Sequence, residues 1–144
     1  MSVWKTTLPV AVYRLTRGRA FGRVGGQPVL LLQTTGRRSG RLRTTPVQYL
    51  RDDGSYVVVA SNAGAPRPPP WLLNLRADPH ARVRVGSEAL DVIARETAEE
   101  EYAAMWRRLT AANRALDKVA RRTGRRLPIL VLSPDRPSKQ APDP

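Results

Sequence analysis

The sequence predicts an α+β domain built around a mainly antiparallel sheet, and three observations carry that expectation. Six short apolar runs are separated by turn residues rather than by long helices, so the β-α-β alternation of a parallel sheet is missing. One segment near the C-terminus, 97–123, has helical periodicity with matched ends. At 144 residues the chain can bury one sizeable core, and no second domain is needed. Six strands are enough to close a small barrel, although pattern alone does not show closure.

Taken in order, residues 6–18 place Leu8, Val12 and Leu15 on one face with Arg14 and Arg17 elsewhere, a short basic amphipathic helix. Such a helix packs on its domain or lies on an anionic membrane. Gly18, Gly22, Gly25 and Gly26 then mark a flexible connection. Residues 28–35 form a strand by their continuous apolar run, and 43–50 form a second in which Pro46 argues for an edge or a bulge. A turn at 51–55 leads to a third strand, 56–60, rich in β-branched residues. A proline-stiffened irregular segment, 61–70, leads into a short helix over 71–77, which Asp78-Pro79 stops. Residues 82–85 and 88–95 read as a hairpin turning at Gly86-Ser87. In the helix over 97–123, Thr97 and Glu100 make a capping-box pattern, Arg121 and Arg122 complement the dipole, and Gly124 stands at C′. Its stripe of Tyr102, Met105, Trp106, Leu109, Leu116 and Val119 is read as core rather than as cofactor contact. Residues 127–132 supply a last strand. The polar, proline-rich end of the chain from Ser133 is expected to be disordered, with the domain limit drawn at 134 and the tail at 135–144.

The chemistry concentrates at 34–46, where four arginines, four threonines, a serine and two glycines stand in thirteen positions. Arginine forks, hydroxyls and amides freed by glycine hold phosphate or another oxyanion, because each gives donors to an acceptor-only partner. An ordinary solvated hairpin turn is the plain alternative. Charge supports an anionic partner: the net charge is +13, and residues 1–51 contain ten basic residues and no acidic one. Other constellations are poorly supplied. There is no Cys, and one His cannot build an imidazole-rich metal site, so no metal is expected. Residues 36–40 lack the spacing of a Walker loop or a dinucleotide fingerprint, and Glu99, Glu100 and Glu101 are explained by capping. His80 is read as solvated or capping rather than as a base. An enzyme with this inventory would leave the reactive step to a bound cofactor. If the second and third strands form a hairpin, the arginine loop and the 61–71 segment leave the same end of the sheet. They would then face one pocket suited to a planar cofactor with an anionic tail, with Trp71 in its lining. No run approaches a membrane span and 8–13 is too short for a leader core, so the cytoplasm is the expected compartment.

The runs Val29-Leu30-Leu31-Leu32-Gln33-Thr34-Thr35-Gly36-Arg37-Arg38-Ser39-Gly40 and Arg43-Thr44-Thr45-Pro46 carry a resemblance together with residues 56–61, Ala63-Gly64-Ala65, Pro70-Trp71, Asn74-Leu75, Asp78-Pro79 and residues 125–132. Over residues 25–134 the chain resembles the deazaflavin-dependent nitroreductase family, split-β-barrel proteins that use coenzyme F420, an 8-hydroxy-5-deazaflavin. The resemblance implies a split β-barrel of about six mainly antiparallel strands over 25–134, preceded by a basic helix and linker at 1–24. It implies that Arg37, Arg38, Ser39, Gly40 and Arg43 hold the phosphate and acidic tail. Gln48, Val59, Ser61, Asn62, Ala63, Gly64 and Ala65 would line the deazaflavin ring, and Pro70, Trp71 and Asn74 would cover it. The implied chemistry is hydride transfer from the reduced coenzyme to a small hydrophobic electrophile, a quinone or an enone. No residue is assigned the catalytic step, for which Ser61 is the nearest candidate. FMN is the less suitable cofactor.

Departures from the family pattern bear on the acceptor. Leu72 follows Trp71 where a tyrosine is frequent, and Pro68 replaces a frequent His or Asn. Relatives active on nitro compounds carry tyrosines before a Thr-x-Arg-x-x-Pro signature, here Thr123, Arg125 and Pro128, whereas this chain has Asn113, Leu116 and Val119. The missing hydroxyl donor weighs against nitroreduction. Two other classes stand beside the reductase: a non-catalytic split-barrel carrier of a flavin, haem or fatty acid, and a basic nucleic-acid-binding domain. The second is disfavoured because few aromatics are available to stack on bases. A peripheral membrane contact through 6–18, at the inner face of the cell membrane, would bring the chain to a lipid-soluble quinone.

Overall fold

A computed structural model of the protein describes residues 23–24 and 27–135. In chain order the elements are β1 (Arg23–Val24), β2 (Gln27–Thr35), β3 (Leu42–Gln48), β4 (Leu50–Asp52), β5 (Ser55–Val59), a 3-10 turn (Asn62–Gly64), α1 (Pro70–Ala77), β6 (His80–Val85), β7 (Glu88–Glu96), α2 (Glu99–Ala112), α3 (Ala115–Thr123) and β8 (Ile129–Pro134). All pairings are antiparallel. The ladder runs β3-β2-β6-β7-β8-β5-β4, and β4 follows β3 after Tyr49 alone. One bent strand therefore supplies both ends of the sheet, and the six-stranded split barrel closes on itself.

The β-branched and leucine-rich runs form strands apolar on both faces because each face has a cover. Inside the barrel, Leu30, Leu32, Tyr56, Val58, Val83, Val92, Leu130 and Leu132 meet, and α1 adds Trp71, Leu72 and Leu75 to that core. The alternate residues Val57, Ile129 and Val131 point outwards and are covered by Met105 and Leu109 of α2. Tyr102, Trp106 and Leu116 border this second core. Of the helical stripe, Met105 and Leu109 are buried as core, whereas Tyr102, Trp106, Leu116 and Val119 are only half-buried.

Four sequence expectations are corrected. The second strand breaks at Tyr49, whose amide donates to Pro28 O (3.1 Å) while its ring packs edge-on against Tyr56 (5.4 Å). The helix expected over 97–123 is two helices. Asn113 (φ −143°, ψ 93°) leaves helical geometry and its Oδ1 accepts the Ala115 amide at 3.2 Å, an asparagine competing with the helix ladder. The capping pattern lies one residue later: Glu101 accepts the Ala98 amide at 2.7 Å, while the Thr97 amide donates to Ile129 O of β8. Finally, β8 extends into the segment read as a tail, with Ser133 and Pro134 opposite Ile93 and Val92. The glycine-rich connection also contributes β1, paired with the start of β2. The helix expected over 6–18 and the tail from 136 lie outside the described residues.

Candidate functional site

The loop between β2 and β3 is shaped by its glycines. A Cβ on Gly36 would meet Ser39 Oγ at 2.8 Å and Arg41 O at 3.1 Å, and Gly40 sits at φ +72°. The Gly36 amide donates to Arg41 O (2.7 Å), the Gly40 amide to Gly36 O (2.8 Å), and Ser39 Oγ accepts the Arg41 amide (3.1 Å). This tight turn leaves Arg37, Arg38, Arg41 and Arg43 on an exposed tip. None of the four joins an ion pair among the described residues. One strut fixes the loop from below. Asn74 of α1, 4% exposed, accepts the Arg37 amide (3.1 Å) and Arg37 Nη1 (3.3 Å) on Oδ1, and donates from Nδ2 to Thr34 Oγ1 (3.0 Å).

Across from this loop, β5 ends in a turn of unusual backbone. Asn62, Ala63 and Gly64 have φ of 50°, 54° and 86°, so three consecutive residues are left-handed and two of them carry side chains. Such residues cost of order 1–3 kcal/mol each and persist where their surroundings impose them. The Gly64 amide donates to Ser61 O and the Ala65 amide to Asn62 O, closing the turn. Helix α3 flanks it, with Val119 Cγ1 and the Arg122 side chain against Gly64.

Between loop and turn runs a groove of about 1030 Å³. The β3–β4 strand borders it from Leu42 to Leu50, with Val57, Val59, Ser61, Asn62 and Ala63 beyond, and Pro69, Pro70, Trp71 and Asn74 at one end. Leu109, Ala112, Asn113, Ala115, Leu116 and Val119 of α2 and α3 form an apolar wall, whose amide Asn113 Nδ2 donates to Gln48 Oε1 at 3.2 Å.

Most residues singled out from sequence meet here: Arg37, Arg38, Ser39, Arg43, Gln48, Val59, Ser61, Asn62, Ala63, Pro70, Trp71 and Asn74 all line the groove. Gly40, Gly64 and Ala65 do not, and instead shape the two turns behind it. Trp71 is 7% exposed and belongs mainly to the barrel core, so it offers the groove little surface. Asn74 is likewise committed to Thr34 and Arg37. For the α2–α3 wall, residue pattern alone reads Leu109, Leu116 and Val119 as core, while the resemblance points to Asn113, Leu116 and Val119 as acceptor-side positions, and these do line the groove. Leu116 and Val119 are half-buried rather than buried, and a break at Asn113 was the missing signal. His80 is exposed and bonds to Asp78 Oδ1 through its amide (3.1 Å) and Nδ1 (3.0 Å), away from the groove lining.

The groove suits a ligand of mixed character. Its cationic tip matches an anionic tail, and the strands and the preformed turn offer a wall for a flat ring. Among the described residues no helix is long and apolar enough to cross a membrane.

The family model for F420H(2)-dependent quinone reductases matches residues 5–134. The chain is similar to an F420H(2)-dependent quinone reductase of Mycobacterium tuberculosis, with 39% identity over 128 residues, 85% of each protein. A solved F420-H2-dependent reductase, FDR-A, is 33% identical with a TM-score of 0.67, over 74% of this chain and 94% of that one. A further solved structure, a domain-swapped dimer, is 30% identical with a TM-score of 0.69, over 88% of this chain and 93% of that one.

Proposed function

Because the chain belongs to the F420H(2)-dependent quinone reductase family, we propose that the groove is where coenzyme and acceptor meet, the coenzyme tail lying on the arginine loop. Membership makes the protein an oxidoreductase that works with coenzyme F420 and a quinone acceptor.

The donor chemistry of the groove fits the coenzyme. Arg38 and Arg43 present forks at an exposed tip, which suits phosphate and carboxylate oxygens. Arg37, held by Asn74, carries its charge in a fixed position. Gln48, Val59, Ser61, Asn62 and Ala63 form the ring wall in this proposal, and the turn that ends it is closed by its own backbone hydrogen bonds. When bound, the reduced deazaflavin supplies a hydride to the acceptor. The protein's own part is to orient, exclude water and leave an apolar space for the acceptor beside Leu109, Leu116 and Val119. The hydroxyl of Ser61 and the amide of Asn113 are the polar groups of these walls nearest in kind to a carbonyl-polarising donor. The tyrosines of the nitro-active relatives are replaced by Asn113, Leu116 and Val119, which favours quinones or enones over nitro compounds. Contact of residues 6–18 with an anionic bilayer would bring the groove to lipid-soluble quinones, and co-sedimentation with phosphatidylglycerol vesicles tests it.

The observation that carries this proposal is the convergence of the unpaired arginine tip and the left-handed turn on one groove. Titration with the deazaflavin and with FMN, including Arg38→Ala, tests it. Loss of one fork is expected to weaken coenzyme binding by about 1.5–3 kcal/mol without lowering the melting temperature. Equal affinity in wild type and variant at low salt would remove the arginine loop from the site.

A further inference from the structure

The ring-side segment is held from behind, by residues that do not line the groove. The Ala60 amide donates to Pro128 O at 2.9 Å, and Arg125 Nη2 reaches the carbonyls of Ala65 (3.3 Å) and Arg67 (3.4 Å). Asn62 Nδ2 donates to the same Arg67 carbonyl at 2.9 Å. The left-handed turn 62–64 lies between these ties. Arg125 is unusual for a half-buried cation. It forms no ion pair among the described residues, and its Nε is buried without an acceptor. Removing a guanidinium from water without giving it a carboxylate is costly, so what this one secures is the position of two carbonyls. Its own backbone is fixed by Thr123, whose Oγ1 donates to Ala120 O (2.9 Å) and accepts the Arg125 amide (3.4 Å), just before the αL cap at Gly124. Thr123, Arg125 and Pro128 are the three fixed positions of the sequence signature, and each takes part in this clamp.

We infer that Arg125 is a positioning residue: it holds the strained turn 62–64 in the shape that the coenzyme ring meets. The inference rests on the proposed binding mode. Removing the clamp lets Asn62 and Ala63 relax from positive φ, which disorders the wall before the coenzyme arrives and leaves the barrel intact.

Hydrogen exchange on the full chain tests the clamp without any ligand. In Arg125→Ala the Gly64 and Ala65 amides, which close the turn, should exchange at least tenfold faster, while those of β2 and β8 keep their protection. Steady-state kinetics test the consequence. The KM for reduced coenzyme should rise about tenfold with kcat and the quinone KM nearly unchanged, and Arg125→Lys, able to reach one carbonyl, should recover part of both effects. Unchanged exchange at Gly64 and Ala65 would overturn the inference. So would faster exchange with an unaltered coenzyme KM, or a loss of protection throughout the barrel in both variants. Should the alanine variant fail to fold, the lysine variant decides by the same readings. A wild-type chain that binds no coenzyme would instead sink the proposed binding mode, and the exchange comparison would still decide the clamp.

Discussion

At the scale of single residues, the most consequential side chain is one that offers the groove almost nothing. Asn74 joins α1, the end of β2 and the arginine loop through three hydrogen bonds from one buried amide. Alanine there would leave the Thr34 hydroxyl, 2% exposed, and the Arg37 amide without their partner. Since each unsatisfied buried group costs about 1–3 kcal/mol, Asn74→Ala is expected to lower stability by at least that much and coenzyme affinity with it. Asn74→Asp keeps an acceptor for Arg37 and for the Thr34 hydroxyl proton, so it should lose less of both. Denaturant titration beside coenzyme titration checks this; an alanine variant of wild-type stability would show that the strut bears no strain.

At the scale of elements, the break between α2 and α3 decides what the second half of the C-terminal helix does. Unbroken, Leu116 and Val119 would continue the line of Met105 and Leu109 over the outer core. The bend at Asn113 instead carries α3 to the 62–64 turn and gives its apolar side to the groove. On the proposed mode this side receives the acceptor. Leu116→Tyr should then place a hydroxyl on the acceptor wall and raise nitroaromatic reduction roughly tenfold, short of the 10²–10³ attributed to a preorganised donor. Turnover of a nitroaromatic and of a quinone by the same preparation tests this; unchanged turnover of both substrates would place the acceptor elsewhere.

At the scale of the whole molecule, charge is divided between a paired side and an unpaired one. The carboxylates of Glu96, Glu99, Glu101 and Asp91 pair with Arg76, Arg126, Arg95 and Arg82 around β7 and the start of α2. The loop cations at the groove have no such partners among the described residues. Hydrogen bonds from Arg76 hold the Glu96 carboxyl below the usual carboxylate range against the opposing effect of burial, and bonds from Arg95 and then the Ala98 amide do the same for Glu101. A carboxylate with a depressed folded pKa adds stability that is complete above its unfolded value, about 4.3, and lost as pH falls through the folded one. Acid destabilisation is therefore expected below about pH 4.5 rather than near neutrality. Both members of the Arg76–Glu96 pair are over 40% exposed, so Glu96→Gln should cost no more than about 1 kcal/mol at pH 7 and flatten the decline at low pH. Unfolding at pH 7 and pH 3.5 checks this, and the same loss at both would exclude a titrating pair.

Sequence by itself determined the strands and what lies between them. The continuous apolar runs at 56–59 and 129–132, the turn at Asp53-Gly54, the hairpin at Gly86-Ser87 and the two glycines of the arginine loop are local facts of composition, φ and steric room, so they are legible without contacts. The arginine loop and the 61–71 segment were legible as partners for the same reason, since a hairpin sends both to one end of the sheet. Only the tertiary structure decided the rest. Closure depends on the strand bending at Tyr49, so that it pairs with β2 before the bend and with β5 after it, and α3 meets the barrel where Asn113 bonds beyond its own helix to Gln48. The left-handed turn depends on a guanidinium some sixty residues away. Each is a choice between locally comparable conformations, settled by partners that are distant in the chain and adjacent only once the barrel has formed.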